Sequence, residues 1–359
     1  CNMADVQAAV NAAADGDTVQ IPAGTCIWST AATFRASVEV IGKGITLQGA
    51  GMDVTIIRDT TNSNYNDMAI RVDNAAGKFT RITGMTFITA ADQHFKGNVQ
   101  IGGDTKTFRV DHCKFDGNGY TGNAIYVTGD TWGVIDHCTF LRPNKGNFKA
   151  VQACGKNDAS WAKPLMLGTE NAVYIEDCII TYSPTSGSAS YRVVDTAEGG
   201  RVVFRYNTLT DTGDVGSHGY DSDPRAMISM EIYNNTFIHT VSGNFYSAIV
   251  FRGGTGVVFN NVMTGGGYNG FIGLYYYCCC PYDCSHPAEK LYPGKDQPGF
   301  APDGTGGQVS APIYEWNNVT TITPHIFTGA TCAYEASMVK LNRDYFINTP
   351  KPGYTPYIY

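Results

Sequence analysis

The stretch that decides the fold is Asp111-His112-Cys113-Lys114-Phe115, because its pattern returns six more times along the chain. The first three copies carry an acid and a cysteine, and the later copies carry asparagine. The other copies are Asp136–Phe140, Glu176–Ile180, Arg205–Leu209, Tyr233–Phe237, Phe259–Met263 and Trp316–Thr320. From Cys113, the equivalent positions follow at intervals of 25, 40, 29, 28 and 26 residues. A repeat of this length predicts a solenoid.

Each repeat contains short runs of Val, Ile and Phe separated by Gly, Asn, Asp and Thr, which is typical of strands and turns. Roughly 25 residues suffice for three short strands, and such coils stack as parallel strands about 4.8 Å apart. We therefore predict an all-β fold, a single-stranded right-handed parallel β-helix. Stacking should align the Asn positions of successive coils in a hydrogen-bonded ladder. An apolar stack should lie beside it, formed by Phe87, Phe115, Phe140, Leu209 and Phe237.

Side chains alternate just before the repeated position. Phe108 and Val110 share the parity expected for the core, and Arg109 and Asp111 share the parity expected for solvent. The column two residues before the repeated position therefore belongs to the solvent face. It consists of Asp111, Asp136, Glu176 and Arg205.

A solenoid grows by adding coils, so the 359 residues are predicted to form one domain, 1–359. Residues 1–26 should form an N-terminal cap, with an amphipathic helix from Asp5 to Ala14. Two segments are predicted to be loops, a shorter one over 144–163 and a long insertion over 264–311 that is rich in Cys, Tyr and Pro. Residues 342–359 should form an extended C-terminal tail.

A net charge of −7 without any basic run argues against nucleic-acid binding. No apolar stretch approaches the roughly 20 residues of a membrane span. The chain carries 11 cysteines, begins at Cys1 and shows neither an initiator Met nor a signal segment. We therefore expect a mature secreted or cell-surface protein whose signal has been removed.

The cysteines suggest three different roles. A Cys1–Cys26 bridge would fasten the N-terminal cap, and a disulfide knot is expected among Cys278, Cys279, Cys280 and Cys284. A third group occupies the repeated position and is expected to form stacked, buried thiols. It consists of Cys113, Cys138 and Cys178.

Three acids on adjacent coils would repel one another if left alone. Asp111, Asp136 and Glu176 are therefore candidate ligands for a divalent cation, and Ca²⁺ tolerates irregular oxygen ligand sets better than Mg²⁺ does. The alternative is a solvated acidic stripe in which Arg205 neutralises Glu176 and water screens the other charges.

The segment Trp132-Gly133-Val134-Ile135-Asp136-His137 resembles the strand of pectate lyases in which an aromatic and aliphatic run precedes Asp-His. Val203–Asn207 and Asp223-Pro224-Arg225 resemble the coil and the segment that carry the basic catalytic residue of that family. The resemblance implies that Asp136 and Glu176 bind calcium and that Arg225 is the catalytic base. The opening, ADVQAAVNAAADGDTVQIPAGTC, is similar to the start of many secreted bacterial β-helix proteins.

The loop 213–225, GDVGSHGYDSDPR, is the densest polar cluster outside the repeat. A loop of this kind on a rigid scaffold is a common place for function, and the alternative is a solvated insertion held by local Asx turns. Within it, His218 is a candidate acid or base beside Arg225, and Asp221 and Asp223 are candidate substrate-binding residues. Arg205 is a further catalytic candidate.

Together these features favour a calcium-dependent lyase that cleaves an acidic polysaccharide, a uronan, by β-elimination. Calcium would neutralise the uronate carboxylate, and a basic side chain would take the neighbouring proton. Two alternatives remain open. One is a glycoside hydrolase with paired carboxylates, and the other is a non-catalytic extracellular solenoid that adheres to surfaces or assembles into oligomers or filaments.

Overall fold

A computed structural model describes residues 1–29, 36–60, 68–90, 96–103, 107–143, 148–183, 192–220, 223–240, 247–276, 292–323, 325–329 and 335–358. Contacts divide the chain into two compact units. The first comprises Cys1–Gln152, Val173–Thr185 and Asn207–Thr212, and the second comprises Ala153–Ala172, Ser186–Tyr206 and Gly213–Tyr359. The assignment of residues 1–359 to a single domain stays a prediction.

The first unit opens with helix α1 (Met3–Ala12) and continues as coils that each add one strand to three parallel sheets, A, B and C. Its strands in sheet A are β1 (Thr18–Ile21), β4 (Thr46–Gly49), β7 (Thr80–Thr83), β10 (Phe108–Asp111), β13 (Gly133–Asp136) and β16 (Val173–Glu176). Those in sheet B are β2 (Gly24–Trp28), β5 (Thr55–Asp59), β8 (Thr86–Thr89), β11 (Lys114–Asp116), β14 (Thr139–Arg142), β17 (Ile179–Tyr182) and β20 (Thr208–Thr210). Those in sheet C are β3 (Ala36–Ile41), β6 (Met68–Asn74), β9 (Val99–Gly103), β12 (Gly122–Thr128) and β15 (Phe148–Cys154).

The second unit has the same organisation, with shorter strands in sheet C. Its strands in sheet A are β19 (Arg201–Arg205), β22 (Ser229–Tyr233), β25 (Thr255–Phe259), β30 (Ile313–Trp316) and β33 (Tyr345–Phe346). Sheet B has β23 (Thr236–Ile238), β26 (Val262–Thr264) and β31 (Val319–Thr320), and sheet C has β18 (Val194–Ala197), β21 (Val215–Ser217), β24 (Ile249–Phe251), β27 (Ile272–Tyr275) and β32 (Ile326–Gly329). Outside the coils lie helices α2 (Asp158–Trp161) and α3 (Glu335–Met338) and the antiparallel pair β28 (Phe300–Pro302) and β29 (Gln308–Ser310). The predicted all-β parallel β-helix with an N-terminal helix is confirmed.

The predicted apolar stack forms the core of the first unit. Phe87, Phe115 and Phe140 are register partners in β8, β11 and β14, and their rings stack with centroids 5.0 and 5.2 Å apart. The column continues through Ile180 to Leu209. Equivalent apolar side chains therefore lie directly above one another, as the repeat predicted.

The repeated ending is a tight turn from sheet A to sheet B. His112 and His137, each with φ of 51°, and Asp177, with φ of 52°, adopt the left-handed conformation in the first unit, and Asn234 and Asn260 adopt it in the second. Asn and Asp tolerate this region because their short polar side chains can hydrogen-bond locally. The turn points these side chains outward and returns the next residue to the interior.

That next residue forms the predicted ladder in each unit. The backbone N–H of Cys178 donates to the amide oxygen of Asn207 at 3.0 Å in the first unit. In the second unit the N–H of Asn235 donates to Asn261 and the N–H of Asn261 donates to Asn318, at 3.0 and 2.9 Å. Cys113, Cys138 and Cys178 are buried with free thiols, as predicted. Burial is the main cause that raises the pKa of the Cys113 thiol to about 12.

The N-terminal cap agrees with its prediction except for the helix bounds. Helix α1 begins two residues earlier than expected because the side chain of Asn2 accepts a hydrogen bond from the N–H of Ala4 and caps it. Val6 and Val10 are its buried residues. The predicted Cys1–Cys26 disulfide is present.

Both predicted loops conceal regular structure. The segment 144–163 contains β15 and α2, and the segment 264–311 contains β27 of sheet C and the β28–β29 pair. The repeated five-residue pattern does not occur in these segments, so the repeat did not reveal their strands. The cysteines of the predicted disulfide knot, 278–280 and 284, lie outside the described residues. In the parts of the chain that the structure describes, no helix has the length and apolar character required to cross a membrane.

Candidate functional site

The acidic column on sheet A is not exposed, so its prediction as a solvent face is wrong. Asp111, Asp136 and Glu176 in the first unit are all buried, as are Arg205 and Glu231 in the second. Asp111 and Asp136 are covered by arginines on the preceding strands. Alternation placed these residues outside the apolar core correctly, but it could not show what lies over them.

Each arginine holds its carboxylate with two hydrogen bonds. Nε and Nη2 of Arg81 both donate to Asp111 at 2.6 Å, and those of Arg109 donate to Asp136 at 2.8 and 2.7 Å. Burial raises the pKa of Asp111, but hydrogen bonds from Arg81, His112 and Thr83 outweigh it and hold the pKa at about 2. Both carboxylates are therefore already paired with a guanidinium.

This donor set does not fit a calcium ion. Calcium takes six to eight oxygen ligands, whereas guanidinium forks engage both oxygens of Asp111 and of Asp136. No group of three or more His, Cys, Asp or Glu side chains suited to a metal occurs among the described residues. The assignment of Asp111, Asp136 and Glu176 to calcium stays a prediction without a structural basis, and we derive no chemistry from it.

Arg225, the predicted base, is buried in the second unit, where it pairs with the buried Asp296 and the exposed Asp158. Its Nε and Nη2 donate to Asp296 at 2.8 Å each, and Nη1 donates to Asp158 at 2.9 Å. The guanidinium carbon lies 4.2 Å from the centre of the Trp161 ring. Burial lowers the pKa of Arg225, but the bonds to Asp296 and Asp158 outweigh it and leave the pKa raised. A guanidinium so held does not lose a proton at neutral pH, which argues against the role of base.

Arg205, the other basic candidate, is buried under the C-terminal segment. Its Nη1 donates to the hydroxyl of Tyr233 at 2.9 Å and to the backbone carbonyl of Tyr357 at 2.7 Å. Nearby, Glu231 accepts hydrogen bonds from the hydroxyl of Tyr354 and the N–H of Gly168. The catalytic assignment of Arg205 stays a prediction. Its contact with Tyr357 gives Arg205 a role in holding the C-terminal segment.

His218 lies in a different cluster, at the end of strand β21. Its backbone N–H donates to the carbonyl of Thr196 in β18 at 2.8 Å, which fixes it beside the neighbouring coil. Its Nδ1 lies 2.9 Å from the carboxylate of Asp223, and its Nε2 lies 3.5 Å from that of Asp195. The imidazole is 29% exposed, whereas Asp195 is fully buried. His218 therefore connects a buried carboxylate with a more accessible one.

Arg192 joins a third carboxylate to this cluster. Its Nη1 lies 2.7 Å from Asp195 and its Nε lies 3.1 Å from Asp214. Gly216 is the register partner of Asp195, and a Cβ atom there would collide with the carboxylate of Asp214. Glycine thus lets Asp214 fold back over its own strand to reach Arg192. We call Arg192, Asp195, Asp214, His218 and Asp223 the histidine centre.

The histidine centre has more carboxylates than cations. Three aspartates face one arginine and one imidazole. Burial raises the pKa of Asp214, and the nearby charge of Arg192 only partly opposes this. A carboxyl with a raised pKa can donate a proton, and a more exposed carboxylate such as Asp223 can accept one.

Of the predicted site residues, the structure brings His218 and Asp223 together and gives Arg225 other partners. Asp221 lies outside the described residues. Sequence reasoning missed Arg192 and Asp195. Asp195 directly follows Val193 and Val194 in the sequence and lies in β18. A buried acid in a strand requires a partner, so this signal could have been found.

The chain is similar to several solved structures with low sequence identity. An alginate lyase from Paenibacillus sp. str. FPU-7 is 15% identical over 76% of this chain and 97% of that chain, with a TM-score of 0.46. A PL6 family polysaccharide lyase from Pseudopedobacter saltans is 9% identical over 88% and 75%, with a TM-score of 0.43. The A-module of the Azotobacter vinelandii mannuronan C-5 epimerase AlgE4 is 13% identical over 91% and 96%, with a TM-score of 0.34.

No family model matches this sequence, and no curated protein matches it either. Similarities at this level assign no activity to the chain. The parallel strand register within each unit establishes the fold.

Proposed function

We propose that this protein is a carbohydrate-active enzyme that cleaves a polysaccharide by acid–base chemistry at the histidine centre. The observation that carries the proposal is the position of His218 between the carboxylates of Asp223 and Asp195, at 2.9 and 3.5 Å. A partly exposed imidazole between a buried carboxylate and a more exposed one is suited to transferring protons to and from a substrate.

The charge of the centre favours hydrolysis. Glycoside hydrolysis passes through a transition state with positive charge on the sugar ring. With Asp214 protonated, Asp195 and Asp223 opposite Arg192 leave one net negative charge, which stabilises such a state. An elimination next to a uronate carboxylate develops negative charge instead, and the same aspartates would oppose it.

The roles follow from burial and contacts. Asp214, whose pKa is raised by burial, gives its proton to the leaving oxygen as the glycosidic C–O bond breaks. Asp223 takes a proton from the water whose oxygen attacks the anomeric carbon. His218 orients Asp223, and Arg192 orients Asp214 and Asp195.

A second candidate is β-elimination of a uronan, with His218 as the base. The exposure of the His218 ring favours this reaction, because the proton next to the uronate carboxylate must be taken by a side chain that the substrate can reach. In this reaction the C–H electrons form the new double bond as the glycosidic oxygen leaves. The two reactions differ in product, since only elimination yields an unsaturated sugar that absorbs ultraviolet light.

The test is to incubate the full chain with neutral and acidic polysaccharides and to measure reducing ends and ultraviolet absorbance together. Reducing ends without absorbance support hydrolysis, and absorbance supports elimination. His218→Gln and Asp223→Asn should each lower the rate about 100-fold. His325→Gln is the matched control, because His325 also pairs with a carboxylate, Glu315, at 3.3 Å. Unchanged rates in the first two variants would contradict the proposal.

We also propose that the protein acts outside the cell. The Cys1–Cys26 disulfide suits an oxidising compartment, and a polysaccharide substrate is accessible there. A panel of polysaccharides that are bound but never cleaved would favour the non-catalytic alternative, an adhesive or filament-forming solenoid.

A further inference from the structure

One arrangement of three side chains occurs twice in succession along sheet A of the first unit. In each set an arginine pairs with the aspartate and histidine of the following coil. We call these six residues the Arg–Asp–His face: Arg81 with Asp111 and His112, and Arg109 with Asp136 and His137. The register pairs Asp111 with Asp136, so the two sets lie one above the other. The proposed cleavage reaction uses none of them.

In each set one carboxylate oxygen joins the arginine to the histidine. Oδ2 of Asp136 accepts from Nη2 of Arg109 and from Nδ1 of His137, both at 2.7 Å. Oδ2 of Asp111 accepts from Nη2 of Arg81 at 2.6 Å and from Nδ1 of His112 at 2.8 Å. Both oxygens of each aspartate accept from arginine, so we assign Nδ1 of each histidine as the donor to its aspartate and Nε2 as the outer ring nitrogen.

Exposure separates the donors from the acceptors. The side chains of Asp111 and Asp136 are 0 and 4% exposed, whereas those of Arg81 and Arg109 are 37 and 40% exposed. The imidazoles of His112 and His137 are 54 and 52% exposed. The carboxylates therefore lie beneath the surface, and the guanidinium and imidazole groups form the solvent-exposed surface of the face.

The aspartates also hold the donors in place. Each guanidinium uses Nε and one Nη2 proton on its aspartate, which leaves its other N–H groups for an external acceptor. The two imidazoles stack at 6° with centroids 5.0 Å apart, so the two sets repeat with the spacing of the coils. A rigid pair of cationic groups at a fixed spacing suits a ligand that repeats one anionic group along a chain.

We propose that the Arg–Asp–His face binds an anionic polysaccharide through two successive carboxylate groups. Each guanidinium donates its outer N–H groups to one carboxylate, and the adjacent imidazole supports the same sugar unit. This inference does not depend on the proposed hydrolysis, because it concerns binding at side chains that take no part in that reaction.

The experiment measures binding of a soluble polyuronate to the full chain carrying His218→Gln, which limits turnover at the histidine centre. In that background, Arg109→Lys keeps the charge next to Asp136 but loses the fork, and His112→Gln with His137→Gln removes both rings. Each variant should weaken Kd about tenfold, the usual effect of one lost charge-assisted hydrogen bond. Arg58→Gln is the matched control, since Arg58 is an exposed cation on sheet B of the same unit.

Weakened binding in the two face variants, with Arg58→Gln unchanged, supports the proposal. The same polysaccharide with its carboxyl groups reduced to alcohols should lose binding to the parent protein. Wild-type Kd in folded Arg109→Lys and in the double histidine variant would overturn the proposal, as would an equal loss in Arg58→Gln. Thermal unfolding of each variant confirms that it is folded. Absence of cleavage by the parent protein would contradict the proposed reaction at the histidine centre and would leave binding at the Arg–Asp–His face unaffected.

Discussion

Arg109 covers both carboxylate oxygens of Asp136, with Nε and Nη2 at 2.8 and 2.7 Å. The two residues lie on adjacent strands, β10 and β13, two residues out of register with each other. Arginine on one coil thereby neutralises the aspartate of the next coil. These pairs offset the repulsion between Asp111 and Asp136 on neighbouring coils.

The first prediction concerns that pair. Arg109→Ala leaves the buried carboxylate of Asp136 without its cation and should destabilise the fold by about 3 kcal/mol. Adding Asp136→Ala should recover part of the loss, because the unpaired charge is then gone. Urea unfolding measures both, and Arg58→Ala should change stability by less than about 0.5 kcal/mol. A double variant less stable than Arg109→Ala would contradict this account.

A second prediction concerns acid. The pKa of Asp111 is about 2 in the folded protein, below the value of about 3.9 in unfolded chains. The unfolded state therefore binds the proton first, so the stability that Asp111 contributes is complete above about pH 4 and is lost as the pH falls towards 2. The free energy of unfolding of Asp111→Asn should fall less steeply across that window. Equal slopes would show that Asp111 is not the responsible group.

Arg225 gives a third prediction, because two roles were possible for it. If its network with Asp296 and Asp158 is structural, Arg225→Lys should lower stability by about 2 kcal/mol through loss of the fork on Asp296. The rate per folded molecule should change little. A large loss of activity in a variant of wild-type stability would restore Arg225 as a catalytic residue.

A fourth prediction follows from the raised pKa of Asp214. As the proton donor, Asp214 is active while protonated, so the rate should fall as the pH rises through its pKa. Asp214→Asn should lower the rate about 100-fold and abolish this descending limb. The pH profile of kcat/KM is the measurement, and an unchanged limb in Asp214→Asn would assign it to another group.

Much of the fold could be predicted because one position repeats. Cys113, Cys138, Asn235 and Asn261 occupy equivalent places, and stacking follows once the period is recognised. Strands β15 and β27 were missed because their segments lack that ending. Helix α1 was placed two residues late at each end, since the apolar spacing fixes its face and only the cap at Asn2 fixes its start.

The sites were harder to predict, because their contacts join strands of different coils. Alternation placed Asp111 outside the apolar core, yet nothing local showed that Arg81, 30 residues earlier, would cover it. Asp195 and Asp214 likewise meet only through Arg192. His218 and Asp223 were identified together because they lie five residues apart in one loop.

The Cys1–Cys26 disulfide affects where local unfolding of the solenoid begins. In a stacked repeat protein the end coils have a neighbour on one side only, so fraying normally begins there. Cys1–Cys26 ties the start of α1 to β2, and Trp28 donates to the carbonyl of Cys1 at 3.2 Å. The terminal coil should therefore exchange its amide hydrogens slowly while oxidised. Reduction would turn the same end into the place where proteases first gain entry.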